Sequence, residues 1–293
     1  MSRNLIIRTL VAAIAIPIIL WISYQGGAWL FGMVMLLAVA AGIEFLLNEG
    51  YGTRSPFFWF ALAMIVVCLT ATLDSIPFDA ETESIGFFRI PFVLLTSPLL
   101  VLFFLITSMM FSVGKQPPSE LFTKHSRLMW GITYLAMLYP FVYAIGNDAE
   151  LVETVTPASG GDLLLFLFGL LWVGDTAAMG FGSWLGKHKL APGVSPRKTI
   201  EGFVGGVVGA LAIALLMHFW KFPELRIGHL LVLGLGCSIF GQLGDLVESM
   251  WKRSLAIKDS SAIIPGHGGV LDRFDSLLFA APFMYGYIYF VLA

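Results

Sequence analysis

Residues 200–219 read IEGFVGGVVGALAIALLMHF, and after Glu201 this run contains no formally charged residue. Twenty residues of helix rise about 30 Å, the thickness of a bilayer's hydrocarbon core. Outward from this stretch, eight more of the same kind cover most of the chain, near 5–24, 27–47, 56–73, 91–112, 128–146, 162–181, 229–247 and 273–292. The whole sequence agrees: of 293 residues, 58% are hydrophobic and 12% charged, with a mean hydropathy of +0.86. A soluble domain carries about 25% charged residues, so a soluble enzyme, a disordered tail and a disulfide scaffold are excluded. The expected fold is all-α, a polytopic integral membrane helical bundle of about nine transmembrane helices. Cys68 and Cys237 fall in apolar runs and read as small buried hydrophobes.

Charge settles the expected orientation. The opening run, preceded by Arg3 and Arg8, is too long for a signal peptide and lacks a small-residue cleavage pattern, so it reads as a retained anchor. With a cytoplasmic N-terminus, nine crossings place segments 1–8, 48–55, 113–127, 182–199 and 248–273 inside. Fourteen of the 17 Lys and Arg residues then lie inside, and only Arg89, Lys221 and Arg226 lie outside, as the positive-inside rule requires. Lys115 belongs to the inner set, and Asp74, Asp79, Glu81, Glu83, Asp148, Glu150 and Glu153 read as solvated faces of the outer loops. No polar segment is long enough to hold a core of its own, and no internal repeat is visible. Residues 1–160 therefore read as a set of anchoring helices with a lipid or dimer surface, and residues 161–293 as a catalytic region with cytoplasmic loops 182–199 and 248–273.

Ionisable residues within or at the ends of spans cost about 2.5–3.5 kcal/mol each at the bilayer centre on insertion scales, so they carry a functional expectation. Here they cluster: Asp175 in the sixth span, Glu201 opening the seventh, Asp245 and Glu248 closing the eighth, Asp272 and Asp275 opening the ninth. Gln242, Asp245, Glu248 and Ser249 share one helix face, as do Asp272, Asp275 and Ser276. Lys187, Lys189, Arg197, Lys198, Lys252, Arg253 and Lys258 adjoin them. Carboxylates repel a polyphosphate unless a hard cation lies between, so the mixture points to Mg²⁺ and a phosphate-rich ligand. Residues 195–202, SPRKTIEG, read as a helix start with Ser195 as N-cap and Pro196 at the first helical position, a seat for an anion. Gly202, Gly205, Gly206 and Gly209 read as helix-packing surface. Around His267, glycines at 266, 268 and 269 would let backbone N–H groups approach phosphate oxygens.

The stretch Ser249-Met250-Trp251-Lys252-Arg253, Lys258-Asp259 and Pro265-Gly266-His267-Gly268-Gly269-Val270-Leu271-Asp272-Arg273-Phe274-Asp275 resembles the signature of the phosphatidate cytidylyltransferases, or CDP-diacylglycerol synthases. Trp251 replaces the aliphatic residue or Phe usual there. Two further blocks are similar. One runs from Gly174-Asp175-Thr176 through Gly186-Lys187-His188-Lys189-Leu190, Ser195-Pro196 and Lys198-Thr199 to Glu201-Gly202, and the other joins Gly241-Gln242, Gly244-Asp245-Leu246 and Glu248-Ser249. The resemblance covers roughly residues 170–280. It implies a multi-pass protein of the cytoplasmic membrane with its site facing the cytoplasm, a homodimer, and no dealings with nucleic acid. The implied substrates are CTP and phosphatidic acid, joined to give CDP-diacylglycerol and pyrophosphate. It also implies metal ligation of one or two cations, Mg²⁺ first, by Asp245, Asp272, Asp175 and Glu248. Asp245, Asp272, Lys258, Arg273 and His267 would then be catalytic, with Ser195, Lys198, Thr199, Glu201, Lys252, Arg253, Gly268 and Gly269 binding substrate.

Three other readings compete. An ion-coupled transporter also carries intramembrane carboxylates, but near the midplane of repeated halves rather than beside a His-Gly-Gly loop. The Asp-Gly-x-x-Ala-Arg run of the CDP-alcohol phosphotransferases is absent. A catalytically silent relative would not be expected to keep the whole acidic and basic set.

Overall fold

The computed structural model describes residues 3–73, 106, 117–155 and 157–292. The expected span near 91–112 (Ile106 aside), the acidic outer segment from Asp74 to Glu83, and Arg89 and Lys115 lie outside the described residues. In chain order the elements are α1 (Arg3–Gln25), α2 (Gly27–Asn48), α3 (Pro56–Leu73), α4 (Pro118–Asn147), the short α5 (Ala149–Glu153), α6 (Gly160–Leu185), β1 (Lys189–Ala191), β2 (Ser195–Thr199), α7 (Ile200–Trp220), α8 (Ile227–Ser254) and α9 (Leu271–Tyr287), which continues as a π-helical turn over Ile288–Leu292. Among the described residues seven helices are long and apolar enough to cross a membrane, and α3 adds a shorter apolar stretch, Pro56–Thr70. The protein is an all-α polytopic membrane protein. Two helices run well beyond the expected spans: α4 begins at Pro118 rather than near 128, and α8 continues past 247 to Ser254, shortening the loop before α9 to residues 255–270.

The segment 195–199 departs from expectation. It is a strand, not a helix start: β2 pairs antiparallel with β1, Lys189 opposite Thr199 and Ala191 opposite Ser195. Pro196 has no N–H to donate, so it is tolerated on this two-stranded ribbon. The helix begins at Ile200, and its N-cap is Thr199, whose Oγ1 accepts from the Gly202 N–H at 3.1 Å.

Close packing of α6, α7 and α8 follows from their glycines. A Cβ at Gly205 would stand 2.4 Å from Phe181, and one at Gly209 would stand 2.6 Å from Ala177. The expectation that the Gly202–Gly209 row is packing surface therefore holds. Polar groups close the bundle at the end away from the acidic helix ends. Asp162, in a capping box with Ser159, accepts from Tyr24 Oη at 2.8 Å and pairs with Lys221 Nζ at 2.9 Å, joining α1, α6 and the end of α7. Between the ends lies an apolar core around Leu30, Phe45, Ile132, Tyr139 and Leu167.

The crossing of α8 and α9 is a tight backbone approach near the acidic residues. A Cβ at Gly244 would sit 2.6 Å from the Asp275 carbonyl oxygen, and backbone cannot turn aside as a side chain can. Gly244→Val is expected to push the helices apart at about 1–3 kcal/mol, lowering the thermal midpoint in detergent. An unchanged midpoint would show that the crossing is not under this constraint.

Candidate active site

The acidic helix ends meet. Asp175 from α6, Asp245 from α8, and Asp272 and Asp275 from α9 line one cavity of about 450 Å³, together with Lys252, His267 and Arg273. Asp175 and Asp245 also line a second cavity of about 500 Å³, with Arg197, Lys198, Thr199 and Gln242. The two cavities differ in character. The first joins its charged residues to Ile16 and Ile19 of α1 and Phe168 and Trp172 of α6, whereas the second has two cations, Arg197 and Lys198, in its lining. Lys198 Nζ lies 2.6 Å from Asp245 Oδ2, linking the β-ribbon to α8 across this shared wall.

Behind that wall is a buried ion network. Lys252 Nζ stands 2.5 Å from Glu248 Oε2 and 2.7 Å from Asp272 Oδ1, with all three residues buried. A cation between two carboxylates binds α8 to the start of α9, and removing one member of such a set leaves an uncompensated buried charge. The second oxygen of Asp272 organises the loop: Oδ2 accepts from the Ser260 N–H at 2.9 Å, Ser260 Oγ at 3.0 Å and the Gly269 N–H at 2.8 Å.

Glu44 was not singled out by the sequence, and it holds the same loop from the other side. This α2 carboxylate, 2% exposed, accepts from the Val270 and Leu271 N–H groups at 2.9 and 3.0 Å and from the hydroxyls of Ser261 and Ser260 at 2.6 and 3.1 Å. Val270, the N-cap of α9, makes no side-chain capping bond of its own, so a distant helix satisfies the orphan N–H groups and meets the positive end of the α9 dipole. Asn48, one turn further on α2, donates to the Ser260 carbonyl at 2.6 Å. Glu49 accepts from Trp251 Nε1 at 2.9 Å, and Phe45 stacks on the Trp251 ring at 5.3 Å. The tryptophan that departs from the usual motif thus has a partner for its ring and one for its N–H. The one sequence signal for Glu44 was a lone carboxylate inside the second apolar run; its partners lie more than 200 residues away.

The remaining expected residues fall into two groups. His267, Arg273 and Lys258 face open space: all three line a smaller polar cavity of about 360 Å³ beside the first. Others are engaged with the chain. Glu201 accepts from the Lys187 N–H at 3.1 Å and meets His188 Nδ1 at 2.6 Å, folding the approach to the ribbon onto α7. Arg253 donates to the carbonyls of Val194 at 3.1 Å and Ile257 at 2.8 Å. Ser195 lies in β2. Gly268, at φ +83°, accepts from the Ile264 N–H, while Gly269 is packed so tightly that a Cβ would stand 2.0 Å from Ser260 Oγ. The glycines therefore make the loop's turn and its close seat on Glu44 possible, and the Gly269 N–H is already bonded to Asp272. Among the described residues no three His, Cys, Asp or Glu side chains cluster closely enough to form a metal site by themselves.

The aspartates of α6, α8 and α9 thus share these cavities with lysine, arginine and apolar side chains. The profile of the cytidylyltransferase family matches residues 6–291. The chain belongs to that family. Its match extends the likeness seen around residues 170–280 to nearly the whole chain, including α1 and α2. Similar curated proteins are the phosphatidate cytidylyltransferases of Staphylococcus haemolyticus (strain JCSC1435), 36% identical over 279 residues, Staphylococcus epidermidis (strain ATCC 12228 / FDA PCI 1200), 35% identical, and Staphylococcus aureus (strain COL), 33% identical. In each case the match covers 95% of this chain and 96% of the relative. The protein is a nucleotidyltransferase enzyme.

Glu44→Gln tests the loop's anchorage. The amide would turn an N–H₂ toward groups that are themselves donors, at a cost of about 1–3 kcal/mol for each group left unpaired. The expected outcome is a lower thermal midpoint and faster proteolysis within residues 255–270. Wild-type behaviour in both would show that α2 does not hold the loop.

Proposed function

We propose that this chain is a phosphatidate cytidylyltransferase acting at the cytoplasmic face of the inner membrane, joining CTP and phosphatidate to give CDP-diacylglycerol and pyrophosphate. The observation that carries this reading is that Asp175 and Asp245 wall two cavities of unlike character. The cavity with Arg197, Lys198 and Gln242 suits a nucleotide polyphosphate. The cavity that runs from Arg273 and His267 down to Ile16 and Trp172 suits a phosphate attached to acyl chains. The names of the curated relatives supply the two substrates. The excess of Lys and Arg on the expected inner segments supports the cytoplasmic face, where CTP is found. A homodimer, implied by the family resemblance, is part of the same proposal.

In the reaction a lipid phosphate oxygen attacks the α-phosphorus of CTP; the new P–O bond forms as the bond to the bridging β-phosphate oxygen breaks, and the electron pair leaves on pyrophosphate. A phosphomonoester is already ionised at neutral pH, so no general base is required, and His267 serves as a phosphate contact. The barrier is largely that of bringing two polyanions together in line, so positioning and neutralisation carry the catalysis. Lys198 and Arg197 neutralise the triphosphate; Arg273 and Lys258 lie where the lipid phosphate or leaving pyrophosphate would pass.

The donor set suits magnesium. Mg²⁺ is usually held by one or two carboxylates, with substrate phosphates and water completing its shell, so a three-residue protein cage is not required. Asp175 and Asp245, which reach both cavities, would hold it, and there it would supply charge neutralisation between the two phosphate groups. Asp272 and Glu248 would support that seat through Lys252.

Purified protein given labelled CTP, phosphatidate and Mg²⁺ is expected to release pyrophosphate in step with lipid-linked cytidine. Asp175→Asn and Asp245→Asn are each expected to lower turnover about a hundredfold or more. Failure of the wild-type protein to form CDP-lipid would overturn the activity; near-normal rates in both variants at limiting Mg²⁺ would overturn the metal seat.

A further inference from the structure

Resting on that reading, we propose that α1 carries the lipid-headgroup subsite: Arg8 binds the phosphate of phosphatidate, and the residues below it on the same helix face receive the glycerol and upper acyl region. The first helix has two distinct faces. Val11, Ala12, Ala15, Ile16 and Ile19 line the amphipathic cavity, and with Arg8 they follow the i, i+3, i+4, i+7 spacing of one face. Leu10, Ile14, Ile18 and Trp21 point the other way and are at least 50% exposed, as residues facing lipid would be. α1 is therefore the partition between the cavity and the bilayer, and Ala12 and Ala15 leave room where larger side chains would fill it.

At the top of that face Arg8 enters the charged end of the site. It lines the polar cavity with Lys258, His267 and Arg273, and the last two also line the amphipathic cavity below. Its stem lies against the backbone of the His267 loop: a Cβ at Gly266, where φ is +75°, would stand 2.9 Å from Arg8 Cγ. Among the described residues none of the three cations Arg8, Lys258 and Arg273 makes an ion pair, although Asp259 also lines the cavity. Three cations against the single carboxylate of Asp259 around one space favour an anionic group, and an arginine fork suits a phosphomonoester with two free oxygens. Because the helix face below Arg8 is apolar, the lipid phosphate fits this place better than pyrophosphate, which has no chain to lay along it.

Steady-state kinetics of the full-length protein in mixed micelles test the assignment. Arg8→Ala is expected to raise KM for phosphatidate about tenfold, with KM for CTP unchanged within about twofold and Arg8→Lys in between. Ala15→Phe, which fills the apolar part, is expected to raise KM for dioleoyl phosphatidate more than for dihexanoyl phosphatidate. An unchanged KM for phosphatidate in Arg8→Ala overturns the proposal, and so does a KM for CTP that rises as much, which would place Arg8 on the triphosphate or make it a support for the loop. Equal effects of Ala15→Phe on both lipids overturn the acyl part. Should Arg8→Ala fail to fold in detergent, Arg8→Gln and Arg8→Lys carry the same comparison. An active wild-type enzyme with an indifferent Arg8 sinks this inference alone, whereas a wild-type enzyme that makes no CDP-lipid sinks the reading beneath it.

Discussion

Lys252, buried between Glu248 and Asp272, is the interaction around which the site is arranged. It ties the end of α8 to the start of α9 in a setting where an isolated charge would be strongly disfavoured, so the two helix ends cannot separate without exposing or orphaning a charge. Asp272 then passes the constraint outward through Ser260 and Gly269, and Glu44 meets the same segment from α2. The loop bearing His267 is thus held at both sides by buried carboxylates, and its glycines are needed because the backbone comes within reach of those carboxylates. The rigidity of this corner sets where Asp245 and Arg273 stand relative to Asp175.

The N-terminal helices are more than anchorage. α2 supplies Glu44, Asn48 and Glu49 to the loop and to Trp251, and α1 forms one wall of the cavity. α1 is apolar both along the cavity and on its opposite, exposed face, with Arg8 near its start. The β-ribbon between α6 and α7 closes the other side, placing Lys198 against Asp245.

Much of this was legible in the residues. Eight of the nine expected spans coincide with helices, because a run of apolar side chains long enough to cross hydrocarbon has no other way to satisfy its backbone. The convergence of Asp175, Asp245, Asp272 and Asp275 followed from their placement toward the C-terminal ends of the sixth and eighth spans and the start of the ninth, which the charge pattern puts on one side. The start of α7 differs from the expectation: Ser195 and Pro196 have the local chemistry of a helix N-terminus, but pairing with residues 189–191 offers the backbone a ribbon instead, and Thr199 takes the cap. Local capping signals cannot report a competing partner strand.

What the linear sequence by itself determined is the class of solvent, which runs form long apolar helices, and the set of charged groups gathered at one end, since each depends on transfer free energies and periodicities that are local. Tertiary structure alone decided which groups each carboxylate meets. Asp272 and Glu248 are held by Lys252, Asp175 and Asp245 face the cavities, and Glu44 caps a helix that begins over 200 residues away. Those distinctions rest on distances of a few ångströms between groups far apart in the chain, and only the packed bundle sets such distances.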